Sequence, residues 1–483
     1  MNAMLIVGLV IAIAAIVGLS IYTGTRNKKG SGKIGWGVAA GLIMGTLVGG
    51  TSTVGTAQLA FNYGATAWWF TLGGGLGCLI LALVYVKPLR AQGVPTLVGM
   101  VRKEYGPGVG MAATVLNSVG TFINIWSQLI AASAVVVVVF PTLGAAMTYI
   151  IAAVFMILYV IFGGTKGAGI VGILKTCLLY ATMVVCGVIV LSKAGGVGAF
   201  VDMVNNLVIQ TADGTVVERN MWSLFGRGFW TDAGSGVSLM LGVLTTQTYA
   251  QAVLTTKTDR DGRLAAVIST ILIPIIGIFG ILVGLYMRGV VDPATAASNN
   301  ALLAKAALTS FILDYSGIPK LIGGIMLGAL FIASVGTGAG LALGIATVIN
   351  RDLINKGQAP ADEKKYGFVS NVLIIGTLVL ATIITCVLPS DTIQDFAFLS
   401  MALRGCTVFA PLCFLIWAKG KVKSGWTMAS VVCGCCVALV YGILKILGAI
   451  SFPLAPVFPG VAIGLIIMII GRIAGNKNSP LAD

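Results

Sequence analysis

The sequence predicts an all-α polytopic membrane protein: about thirteen transmembrane helices, ten of them in two five-helix units of opposite orientation, N-terminus outside and C-terminus inside. Three observations predict it. Of 483 residues, 58% are hydrophobic and 9% charged, against about 25% charged in a soluble domain. Lys and Arg are divided unevenly between alternate connections. Two of the apolar segments are interrupted by polar, helix-unfriendly runs. A soluble enzyme, a coiled coil and a disordered chain are excluded by the first observation alone.

A helix needs roughly 20 apolar residues to cross a bilayer. That ruler picks out 3–23, 36–62, 66–86, 110–139, 143–162, 168–192, 235–255, 264–287, 318–349, 367–388, 393–417, 425–447 and 456–471. The first has no basic stretch before it and no small-residue cleavage site, so it reads as a retained helix. With the N-terminus outside, 21 Lys and Arg fall in cytoplasmic segments and six in external ones. This is a positive-inside pattern, so the net charge of +15 reports orientation and not a nucleic-acid partner. Two longer outer loops complete the chain. Residues 193–234 carry a turn at Ala212-Asp213-Gly214-Thr215, and 288–317 carry a short helix at Asn300–Leu308. One membrane domain, 1–483, is expected, with the bilayer and a small solute as partners and no obligate protein partner in evidence.

Residues 36–192 and 235–417 form the two units. Five is odd, so the units must be inverted with respect to one another. Each opens on a helix with a polar break: Val48-Gly49-Gly50-Thr51-Ser52-Thr53-Val54-Gly55 in the first, Thr245-Thr246-Gln247-Thr248-Tyr249-Ala250-Gln251 in the second. A lone Gly-Gly pair is more often helix packing, but matched breaks in inverted halves point to a transporter's midplane site. Thr51, Ser52, Thr53, Gln58, Thr246, Gln247, Tyr249 and Gln251 are the candidate solute ligands there. Asn117, Asn124 and Gln128 share one face of the fourth helix, as a lining or as interhelical hydrogen bonds.

The chain has no histidine, and none of its fifteen carboxylates falls mid-membrane. An intramembrane enzyme and an acid-based proton relay therefore lack their residues. No G-x-x-x-x-G-K-[ST] motif signals a nucleotide site, so no catalytic residue and no organic cofactor are expected. The nine cysteines sit in apolar runs and read as small buried hydrophobes.

Several segments resemble the sodium:solute symporter family. They are Val48–Gly64 followed by Trp68-Trp69; Thr96-Leu97 to Arg102-Lys103-Glu104-Tyr105-Gly106; the turn Gly163-Gly164-Thr165-Lys166; and Gly323–Leu353, ending near Asp352. The resemblance runs over about residues 5–475. It implies a thirteen-helix, inverted-repeat (LeuT-like) amino-acid-transporter fold, alternating access, and Na+ driving uptake of a small organic solute across the cell membrane. It also implies a Na+ site of carbonyls from Gly45 and Val48 with Ala333, Gly336 and Thr337. Hard cations accept such neutral oxygens. Gly336 replaces the Ser or Thr the family has there. Gly172 and Lys175 stand where it usually has Asp and Gln. Lys175 either snorkels to the cytoplasm or places its ammonium near the missing ligand, which makes a sodium-independent or proton-linked carrier the alternative.

Arg404 lies about thirteen residues from Trp417, hence ~20 Å deep, with no intramembrane carboxylate to pair with. A guanidinium there is costly unless it faces a cavity or a partner. Bidentate pairing suits a small carboxylate solute, while capping of helix ends or closing of a gate would serve equally.

Overall fold

The computed structural model describes residues 3–26, 33–163, 168–211, 214–355, 362–387, 393–418 and 422–474. Helices cover all the segments expected to cross the membrane. In chain order they begin with α1 (Ala3–Arg26), α2 (Trp36–Leu47), α3 (Gly50–Tyr63), α4 (Trp69–Ile80), α5 (Val86–Ala91), α6 (Leu97–Tyr105) and α7 (Pro107–Val139). Next come α8 (Ala145–Gly163), α9 (Ala168–Lys193), α10 (Val197–Asn205), a two-stranded β1–β2 hairpin (Ile209–Gln210 with Val216–Val217), α11 (Phe229–Thr245) and α12 (Gln247–Leu254). The chain continues through α13 (Asp259–Val290), α14 (Pro293–Ser298), α15 (Asn300–Ser310), α16 (Lys320–Val348), α17 (Glu363–Val387), α18 (Ile393–Trp417), α19 (Ser424–Ile446) and α20 (Val457–Ala474).

Among the described residues nine helical runs are long and apolar enough to cross a membrane, or ten when the bent pair α11–α12 counts as one. Three shorter apolar helices lie in α1, α2 and α8. One of the nine, Gly50–Ala91, is 42 residues long, more than a single crossing requires. It turns at Gly64, whose φ of +62° disfavours any side chain. A Cβ there would also meet the Met221 carbonyl at 1.9 Å.

The outer-loop helix expected at Asn300–Leu308 is α15, and Asp292 caps α14 by accepting from the Thr295 N–H at 3.0 Å. Residues 212 and 213 of the expected turn lie outside the described residues, as do 164–166 of the Gly163–Lys166 turn. The Trp68 and Trp69 indoles donate to the Pro274 carbonyl (2.9 Å) and the Leu224 carbonyl (2.7 Å).

α3 sits at the centre, packed by α7, α13, α15, α16 and α18. Every residue from Gly50 to Phe61 is buried, although the stretch holds four hydroxyls and an amide. A polar helix can be buried only if its polar groups find partners, and those partners define the site.

Candidate transport site

The first break is a local contest for hydrogen bonds. Val48 leaves the helical region (φ −86°, ψ 94°) and Gly49 is extended (φ −141°, ψ −154°). The Gly49 N–H then donates to Ser52 Oγ at 2.9 Å. The Gly45 carbonyl, one turn back, accepts instead from Lys175 Nζ at 2.5 Å. Ser52 and Thr53 hydroxyls both return to the Gly49 carbonyl, at 3.0 and 2.9 Å. Side chains of this kind replace the helical ladder where it is cut.

Lys175 reaches this point because α2 and α9 almost touch. A Cβ on Gly45 would lie 2.8 Å from Gly172 Cα, and one on Gly172 2.7 Å from the Gly41 carbonyl. One turn beyond Gly172, Lys175 is 4% exposed. Its Nζ also donates to Thr337 Oγ1 at 2.8 Å and to the Ala333 carbonyl at 3.3 Å. The Thr337 hydroxyl gives its own hydrogen to Ala333 at 2.9 Å, leaving lone pairs for the ammonium. A cavity of about 90 Å³ adjoins, lined among others by Tyr159, Gly172, Thr248 and Gly336.

Above the break, Thr51 joins two amides. Gln128 Nε2 donates to Thr51 Oγ1 at 2.7 Å, and Gln394 Nε2 to the Thr51 carbonyl at 3.4 Å and to Thr56 Oγ1 at 2.9 Å. Gln58 Oε1 accepts from the Ile393 N–H at 2.9 Å, capping the start of α18. The amide oxygens of Gln128 and Gln394, both buried, have no donor among the described residues. The first break therefore leaves two buried acceptors unclaimed among the described residues.

The second break is held by Arg404. The chain bends 47° between α11 and α12, with Thr246 extended (φ −89°, ψ 127°). Arg404 Nη1 donates to Thr246 Oγ1 at 2.8 Å, Nε to the Ser400 carbonyl at 3.2 Å, and Nη2 to Ser400 Oγ at 2.9 Å and Met401 Sδ at 3.1 Å. The side chain is fully buried and forms no ion pair among the described residues. Tyr249 is buried beside this region, whereas Gln251 is exposed. Gln247 spends its amide on the 95–97 loop, accepting from Leu97 N–H (2.9 Å) and donating to the Pro95 carbonyl (3.0 Å).

Two further arginines hold the ends of the α11–α12 pair. Arg227 pairs with Asp232 and Asp395, both at 2.8 Å, and Arg90 pairs with Asp259 at 2.5 Å while donating to the Thr256 carbonyl at 2.9 Å. Sequence reading missed both, because their partners on other elements are 168 and 169 residues away.

A family model for sodium:solute symporters matches residues 29–434. The chain belongs to the sodium:solute symporter family. A curated relative, the uncharacterized symporter YwcA of Bacillus subtilis (strain 168), is 31% identical over 193 residues, which is 38% of this chain and 37% of that protein. The match thus spans about a third of the relative's length. Among solved structures, a Na+-coupled sialic acid symporter, substrate-bound and outward-open, aligns with a TM-score of 0.75 at 17% identity, covering 99% of this chain and 100% of that one. Mhp1, a nucleobase-cation-symport-1 family transporter closed around bromovinylhydantoin, aligns at 0.55 with 10% identity over 91% and 92%. At these identities the structures establish the shared fold. As a symporter-family member the chain is a multi-pass membrane transporter and not an enzyme.

For this sodium:solute symporter family member, the resemblance placed a Na+ site on Gly45, Val48, Ala333, Gly336 and Thr337. The fold brings the Gly45 and Ala333 carbonyls and the Thr337 hydroxyl together, with Gly336 beside them offering no hydroxyl. Val48 does not line this cavity. All three converging oxygens already accept from Lys175. A Na+ sharing them would lie within a few ångströms of the ammonium, where like charges repel by about 4 kcal/mol at an effective dielectric near 20. The residues present do not fit a resident Na+.

Proposed function

We propose that the chain is a secondary transporter of the cell membrane that carries a small organic solute by alternating access. A carboxylate is the solute group best matched to Arg404. One observation carries the reading. Two broken helices place irregular backbone and buried polar side chains inside the bundle, which a membrane protein tolerates where the backbone is buried or lines a cavity. Thr51, Ser52, Thr53 and Gln58 at the first break, with Gln128 and Gln394, form one wall of the path. Thr246 and Tyr249, with Arg404, form the other. Four of the five guanidinium N–H groups have protein acceptors, all of them uncharged, so an anionic solute would supply the missing counter-charge. Residues 36–192 and 235–417 act as the inverted halves of a thirteen-helix, N-out, C-in carrier.

Family membership, and the Na+ coupling named for the sialic acid symporter that shares the fold, make Na+-driven symport the first reading of the energy source. The position of Lys175 favours a second, a carrier that runs without Na+.

The test is solute counterflow in proteoliposomes, which needs no ion gradient. Small carboxylates are expected to exchange, and Arg404→Ala is expected to lower their exchange at least tenfold, about 1.4 kcal/mol of transition-state stabilisation. Neutral sugars or vitamins competing as well as carboxylates would remove the carboxylate assignment. Exchange of no solute at all would remove the carrier reading.

A further inference from the structure

We infer that the Lys175 ammonium is the resident cation of the cradle formed by α2, α9 and α16, and that this transporter neither binds nor requires Na+. The inference rests on the carrier reading above and concerns what fills the cation position of that fold. Three observations carry it independently of one another. First, Nζ lies within hydrogen-bond distance of Gly45 O (2.5 Å), Thr337 Oγ1 (2.8 Å) and Ala333 O (3.3 Å). These are three of the five positions at which family resemblance places sodium ligands. All three partners act as acceptors, because Thr337 has committed its hydrogen to Ala333. That pattern suits a trivalent donor such as an ammonium.

Second, the cradle is short of what a free hard cation wants. Gly336 supplies no hydroxyl, and a Cβ there would press on the Tyr159 ring at 3.3 Å. Six or more oxygens are usual for Ca2+ and near-ideal octahedra for Mg2+, and three serve a lysine well. Third, the lysine does not snorkel. Its side chain is buried and held inward by the Gly45–Gly172 contact, where neither residue has room for a Cβ. A long amphipathic side chain with access to the surface would place its charge in water, and this one is spent on the cut end of α2.

An ammonium on a side chain supplies the positive charge that the freed Gly45 carbonyl needs, yet it cannot leave. With the ammonium in place, no Na+ has to arrive before the halves can close.

The experiment has two arms. Equilibrium binding of radiolabelled Na+ to the purified wild-type protein needs no solute. No saturable binding is expected, and saturable binding would overturn the inference. In proteoliposomes, wild-type counterflow is expected to run equally in Na+ and choline, and Lys175→Ala to slow it at least tenfold in both. A tenfold loss for the wild type in choline, or wild-type rates for Lys175→Ala in choline, would overturn it. The wild-type measurements decide even where Lys175→Ala fails to fold. Absence of counterflow in both salts would count against the carrier reading, and Na+ binding would still decide the present one.

Discussion

Lys175 and Thr337 have their roles only as a pair. A threonine in a transmembrane helix ordinarily returns its hydroxyl hydrogen to the carbonyl four residues back, and Thr337 does this with Ala333. The same oxygen then serves Lys175 through its lone pairs. Thr337→Val keeps the shape and removes the acceptor, and a hydrogen bond to a charged group contributes roughly 1.5–3 kcal/mol. Thr337→Val is therefore expected to unfold at lower temperature than the wild type in a detergent thermal-shift assay, while Thr337→Ser is expected to match it. Equal stability of Thr337→Val would show the bond to be dispensable. Elimination made Lys175 conspicuous, since so few charges lie deep in the apolar segments, whereas Thr337 was named only by the family resemblance. The sequence could not say which way Lys175 turns, because that depends on two glycines 127 positions apart, Gly45 and Gly172, packing so closely that a Cβ on Gly45 would lie 2.8 Å from Gly172 Cα. Gln394 was invisible for the same reason. It lies at the head of an apolar segment, and only the fold brings it to Thr51.

At the scale of elements, both breaks were legible, because Gly-Gly followed by three hydroxyl residues, and a Thr-Thr-Gln-Thr run, offer the backbone alternatives to its own ladder. How the broken ends are fastened was not legible. Arg227 holds the head of α11 through one buried and one half-exposed carboxylate, Asp232 at 0% and Asp395 at 40% side-chain exposure. Magnitudes separate the two. Removing one partner of a buried ion pair costs up to about 3–5 kcal/mol when the other charge is left unpaired. The cost is less for Asp232, whose loss leaves Arg227 the half-exposed Asp395. An exposed pair contributes about 0–1 kcal/mol. Asp232→Asn is thus expected to lower the thermal transition far more than Asp395→Asn. The reverse order would mean that the link between α11 and α18, not the cap on α11, is what Arg227 maintains. Four of the predicted solute ligands (Thr51, Ser52, Thr53 and Gln58) lie together on α3, whereas Gln247 and Gln251 on α12 do not join them. On a short helix of eight residues, neighbouring positions point in different directions, and the sequence run alone cannot rank them.

For the whole molecule, composition decided the class, and the distribution of Lys and Arg gives an orientation that can be checked directly. A fluorescent protein fused at the C-terminus is expected to fold and glow, and a periplasmic phosphatase fused there to stay inactive. An active phosphatase would invert the entire topology and with it the assignment of the 193–234 loop to the outside. The tethered charge at Lys175 has a further consequence, in electrical terms. Moving one elementary charge through a membrane potential involves about 2.3 kcal/mol per 100 mV, and a symporter gains that work from each cation it carries inward. A cation bonded to α9 crosses with no solute, so the potential contributes nothing to accumulation of a neutral cargo. For an anionic cargo, an inside-negative potential opposes entry. While Lys175 keeps its proton, such a carrier equilibrates or exchanges its solute, and its direction is set by whichever side of the membrane holds more of it.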